Sequence, residues 1–171
     1  MTMSDLEQPP VAVLHLRTTS ADATRDLAAT LASVARPGDR LALVGPLGAG
    51  KTQFAKGFAV GLGIDAVVNS PSFTLMAEYE GRLTLFHQDL YRLAGSAEVL
   101  AGGLLDERQD EGVTLSEWAD RLDEGLDPER LTVLILPGGE ELREIEIRGH
   151  GEVAERYFAS ARQWRSGGDG R

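Results

Sequence analysis

Cysteine is absent from the 171 residues. Its absence excludes a disulfide framework, a thiolate zinc site and a cysteine nucleophile. Lysine is nearly as scarce: of 17 basic residues only Lys51 and Lys56 are lysines. In so arginine-rich a chain a surviving lysine invites a reason, because it supplies a compact point charge where arginine supplies a planar fork. The three histidines, His15, His87 and His150, are scattered, and their spacing makes no metal site. No apolar run approaches the ~20 residues needed to span a bilayer. The polar start at residues 1–5 (MTMSD) carries no signal-peptide character. A soluble, cytoplasmic protein without membrane contact is expected.

Positive charge is also in deficit. Seventeen basic against 27 acidic residues give a formal charge of −10, which argues against gripping nucleic acid with the whole surface. Residues 98–130 hold 11 Asp and Glu against 3 Arg. Such a stretch reads as solvated helix and loop faces, or as a source of metal-binding carboxylates.

The length suits one domain. Residues 1–10, ending in Pro9-Pro10, and residues 166–171 (SGGDGR) read as disordered ends, leaving a single domain over 11–165. Strands are predicted at 11–17, 41–44, 113–115 and 131–136, and helices at 20–34, 52–62, 96–106 and 152–164. Residues 75–80 and 82–87 flank Gly81 as a hairpin. Residues 143–148 alternate Ile145 and Ile147 with charge, which suggests an exposed edge strand. The alternation of strands and helices indicates an α/β fold: a three-layer sandwich whose mixed sheet has a parallel centre and antiparallel edges.

Residues 45–52 (GPLGAGKT) match G-x4-GK[ST] between an apolar strand and a helix, the context that gives this motif its meaning. Gly45, Leu47, Gly48, Ala49 and Gly50 form the curl whose backbone N–H groups cradle phosphate, aided by the helix N-terminus. Lys51 is placed to reach the β- and γ-phosphates, and the Thr52 hydroxyl to ligate Mg²⁺. Lys56, one turn further on, reads as a surface charge.

A phosphate loop does not by itself name a reaction. Hydrolysis needs a metal-positioning acid and a group that aligns water. Asp89 and Glu117 each stand at an apparent strand end, where the alternatives are helix capping and Mg²⁺ work. Glu117, after residues 113–116, better fits the apolar-strand-then-acid pattern. Ser70, Pro71, Ser72 and Phe73 lie between loop and acids, either as an ordinary turn or as a segment that senses the γ-phosphate. Neither lysine opens a guanine-reading K-x-D, and D-x-x-G does not occur, so adenine is the expected base. A small-molecule kinase and a nucleotide-sensing adaptor that does not hydrolyse ATP stay open as alternatives.

Together, residues 45–52 (GPLGAGKT), 69–74 (NSPSFT), 87–93 (HQDLYRL) and 116–119 (SEWA) resemble the TsaE family, also called YjeE, in order and spacing. The resemblance runs over roughly residues 15–150. It implies a P-loop ATPase that binds ATP and Mg²⁺ and serves tRNA threonylcarbamoyladenosine synthesis. TsaD and TsaB would be its partners, with tRNA met through the complex. It implies phosphate and Mg²⁺ binding by Lys51 and Thr52, a metal-associated role for Glu117, a second acid in Asp89, and a switch segment over Ser70–Phe73. It also implies nucleotide contacts for Thr24, Gln53 and Arg143. Trp118 follows Glu117 as in the family, as a partner contact or as core packing. The chain departs at Gln53, where a second Thr is usual, and at Ser72, where Thr is commoner.

Overall fold

The computed structural model describes residues 11–46, 48–69, 71, 76–89, 107–117 and 130–167. They run as β1 (Ala12–Thr18), α1 (Ala21–Ala32), β2 (Arg40–Val44), α2 (Lys51–Gly61), β3 (Met76–Tyr79), β4 (Leu85–Asp89), a 3-10 turn (Glu107–Glu111), β5 (Val113–Glu117), β6 (Leu131–Pro137), β7 (Arg143–Gly149) and α3 (Gly151–Ser166). The seven strands form one sheet in the order β1-β7-β6-β2-β5-β4-β3. β2 pairs in parallel with β5 and β6, and β4 with β5. The β3–β4, β6–β7 and β1–β7 pairings are antiparallel.

Side chains alternate across a sheet, so register fixes which residues share a face. Leu14 and Leu16, Ile145 and Ile147, Val133 and Ile135 fall in line across β1, β7 and β6, all buried. Leu41 and Leu43, Leu115, and Leu85 continue that face through β2, β5 and β4. It is the core face. Its last positions, where β4 and β5 end, are Asp89 and Glu117.

The opposite face divides. On the parallel strands Ala42, Thr114, Ser116 and Gln88 are buried as well, as a parallel centre requires. On β1, β6 and β7 it is open to solvent and laced with cross-strand ion pairs such as Arg17–Glu144, 2.8 Å apart. This corrects the expectation for residues 143–148. β7 is not an edge strand but lies between β6 and β1. Ile145 and Ile147 alternate with charge because one face of the strand is wet, not because one side is unpaired.

The described helices pack on the core face. Ser20 caps α1 by accepting from the Ala23 N–H at 3.0 Å. Leu27, Ala28, Leu31 and Ala32 give α1 its buried stripe. α2 presents Phe54 and Phe58, stacked with centroids 6.3 Å apart, and meets α1 at backbone distance. A Cβ at Gly57 would lie 2.2 Å from the Arg25 carbonyl oxygen, so only glycine fits. α3 is tied to the entry of β2 by Asp39. That buried carboxylate accepts from Arg156 Nη1 at 2.6 Å, Arg156 Nη2 at 3.0 Å, Tyr157 Oη at 2.7 Å and the Arg36 N–H at 2.9 Å. Burial pushes the Asp39 carboxyl up, but those hydrogen bonds outweigh it and hold it below the ordinary 3.8.

The middle hairpin forms, with its turn widened to residues 80–84 because β4 starts at Leu85. Ser166, expected in the tail, is the last residue of α3. The helix expected at 96–106 lies outside the described residues, and among those described no second helical layer is present.

Candidate functional site

Strand β2 delivers the chain to the glycine-rich loop at the carboxyl end of the parallel strands, where open α/β sheets bind ligands. Gly48 and Gly50 hold left-handed φ values of 78° and 110°, and Gly50 is the N-cap of α2. That curl places Lys51 at the first position of the helix. Its ammonium folds back over the loop, donating to the carbonyls of Gly45 at 2.6 Å and Pro46 at 2.9 Å. The charge is thus held beside the concavity its own loop makes. Ala49 is buried beneath it.

Thr52, next in the helix, faces β5. Its Oγ1 lies 3.5 Å from Oε1 of Glu117, from 65 residues further along the chain. Asp89 is the register partner of Glu117 on β4. Both carboxylates end core-face strands and both are buried. A hydroxyl and a carboxylate oxygen so close are hard oxygen donors of the kind that hold Mg²⁺ beside phosphates and water, without an all-protein cage. Among the described residues no group of three or more His, Cys, Asp and Glu is placed to hold a metal ion. Two such donors would leave most of a cation's coordination to phosphate and water.

On the other side of the loop, Thr24, Gln53 and Arg143 come together. With Ala21, Gly50 and Glu141 they line a cavity of about 80 Å³. Thr24 forms a wall: its hydroxyl is 2.7 Å from that of Thr18 and donates to the Ser20 carbonyl at 3.2 Å. Arg143 donates through Nε to the Ala49 carbonyl at 2.7 Å and through Nη1 to that of Leu142 at 2.9 Å. Gln53 Oε1 accepts from Arg25 Nη1, and Arg25 Nη2 also holds Asp22. Gln53, where the family has a second Thr, is thereby fixed from α1.

The overall shape matches a solved structure, that of Bacillus subtilis YdiB, with a TM-score of 0.67 and 38% identity over 92% of this chain and 97% of that one. The sheet and loop are a P-loop fold. The family described as threonylcarbamoyl adenosine biosynthesis protein TsaE matches residues 18–145. The chain belongs to the TsaE family. A curated TsaE relative, the tRNA threonylcarbamoyladenosine biosynthesis protein of Bacillus subtilis (strain 168), is 46% identical over 145 residues, 84% of this chain and 89% of its own. The TsaE protein of Treponema pallidum (strain Nichols) is 41% identical over 110 residues, 64% of this chain and 82% of its own.

Of the positions singled out in this TsaE-family sequence, Gly45, Gly48, Ala49, Gly50, Lys51, Thr52, Gln53, Thr24, Arg143, Asp89 and Glu117 gather around the loop. Pro71 is buried. Leu47, Ser70, Ser72, Phe73 and Trp118 lie outside the described residues. Two contributors escaped the sequence reading. Arg25 carried no motif. His87, given no chemistry, is wholly buried with Nε2 2.9 Å from Glu117 Oε2. The signal for it was the two-residue step to Asp89, which puts both on one strand face.

Proposed function

We propose that this chain hydrolyses Mg-ATP as a component of the tRNA threonylcarbamoyladenosine machinery, working with TsaD and TsaB proteins in the cytoplasm. The approach of Thr52 Oγ1 to Glu117 Oε1 carries the reading, because a hydroxyl and a carboxylate from two elements meet beside the glycine-rich loop. Curated relatives bearing the TsaE name, 46% and 41% identical, support the pathway.

The loop N–H groups and the α2 N-terminus bind the phosphates, and Lys51 shifts from its loop carbonyls towards them. Thr52 and Glu117 hold the metal side of the nucleotide, and Asp89 orients water. Bound Mg²⁺ neutralises charge on the phosphates. The cavity of Thr24, Gln53 and Arg143 takes the nucleoside side. Arg143 binds backbone carbonyls through Nε and Nη1, so its part here is to hold the loop in shape. Slow hydrolysis alone, and faster turnover with partners, is the expected behaviour. A charge of −10 suits a protein that meets tRNA through its partners.

Reconstitution tests this: the protein with TsaD and TsaB, tRNA, bicarbonate, threonine and ATP, assayed for modified adenosine and free phosphate. Both products should depend on Lys51. Full modification with Lys51→Ala would refute the proposal.

A further inference from the structure

We infer that His87 is a positioning residue for the metal site, fixing one oxygen of Glu117 so that the other faces Thr52. The inference rests on the proposed Mg²⁺ role of Glu117 and adds a residue to it. The His87 side chain is 0% exposed and that of Glu117 3%. A buried carboxylate needs a hydrogen-bonding partner, and His87 Nε2 provides one at Oε2, 2.9 Å away. Oε1 is left for Thr52, 3.5 Å distant. The two oxygens therefore have different tasks.

The hydrogen position follows from chemistry. A carboxylate only accepts, so Nε2 carries the hydrogen. Nδ1 is buried with no hydrogen-bond partner among the described residues. A histidine at this place differs from a basic side chain in one respect that matters beside a metal site. An arginine or lysine in the same place would set a permanent positive charge against the carboxylate and oppose a cation on its other oxygen. An imidazole supplies the hydrogen bond with no permanent charge, from a ring wholly buried on the core face of β4.

Two amides separate positioning from packing. In His87→Gln the side-chain Nε2 can reach Glu117 much as the imidazole Nε2 does, whereas the shorter amide of His87→Asn cannot. The readout is Mn²⁺ binding to the protein–ADP complex, followed by electron paramagnetic resonance, with ADP affinity also measured in chelator. Thermal melts confirm that each variant is folded. His87→Asn should weaken Mn²⁺ binding by about 10–100-fold, the usual cost of losing a residue that orients a metal ligand. His87→Gln should recover most of it, and metal-free ADP affinity should change little in either. Equal Mn²⁺ affinity in Asn and Gln variants would overturn the inference while leaving the phosphate-loop reading intact. If Glu117→Gln also left Mn²⁺ affinity unchanged, the metal assignment of Glu117 would fall, and the role of His87 with it.

Discussion

Arg143, the first residue of β7, donates from Nε to the carbonyl of Ala49 at 2.7 Å, across 94 residues of chain. It also reaches the Leu142 carbonyl, so one guanidinium clamps the loop to the sheet. Arg143→Ala leaves the carbonyl of buried Ala49 without this donor. A hydrogen bond to a charged group contributes about 1.5–3 kcal/mol. Partial exposure places the expected loss of ADP affinity at the lower end, roughly tenfold, read by titration calorimetry. Arg143→Lys should recover only part of it, because a single ammonium cannot span both carbonyls in the same fork geometry. Wild-type affinity in Arg143→Ala would mean the loop holds its shape unaided.

Glu117→Gln keeps an acceptor for His87 and removes the charge. Folding should be nearly unaffected, while magnesium-dependent phosphate release should fall roughly tenfold or more. A steady-state phosphate assay beside a urea unfolding curve separates the two effects. A shifted unfolding midpoint with unchanged hydrolysis would make Glu117 structural.

Asp39 sets an acid limit on stability. Burial raises its carboxyl, but Arg156, the Arg36 N–H and Tyr157 bring it below the ordinary 3.8. A group lowered on folding stabilises fully above its unfolded value and loses that contribution as pH falls through the folded one. Urea midpoints should therefore drop below about pH 4 in the wild type. Asp39→Ala should cost about 2–3 kcal/mol at neutral pH, because buried Tyr157 Oη loses its acceptor and Arg156 keeps only Glu152 and the Val34 carbonyl. The variant should also show a weaker acid dependence.

Gly57→Ala tests the α1–α2 crossing. In an open helix alanine would gain about 1 kcal/mol over glycine. Here the new Cβ would lie 2.2 Å from the Arg25 backbone oxygen, and overpacking of this kind costs about 1–3 kcal/mol. The melting temperature should fall. Because Arg25 holds Gln53, ADP affinity should weaken as well. A raised melting temperature would show that the helices can part freely.

The residues that could be read from sequence were those whose role depends on local spacing. Residues 45–52 carry strand, curl, lysine and hydroxyl in one stretch, and Glu117 closes an apolar strand. The two-residue period of residues 143–148 showed which side chains turn inward. It could not show that β1, from the other end of the chain, lies alongside. Solvent on a face and solvent at an edge leave the same alternation in a strand. Arg25 was opaque for a related reason, and the step from His87 to Asp89 told the strand face of His87 but not its partner. Each acts on a residue brought near by the fold, Gln53 from the next helix and Glu117 from the next strand.

Thr18 and Arg143 are partners in the β1–β7 register. One braces the Thr24 wall of the cavity and the other braces the phosphate loop. Their pairing joins distant parts of the chain, and contacts of such long sequence separation are slow to form because loop-closure entropy must be overcome first. The cavity proposed for the nucleotide is thereby completed only when the first strand docks on the last hairpin. A refolding chain should regain its helical signal before it regains ADP binding, so that competence for nucleotide serves as a check on the finished fold.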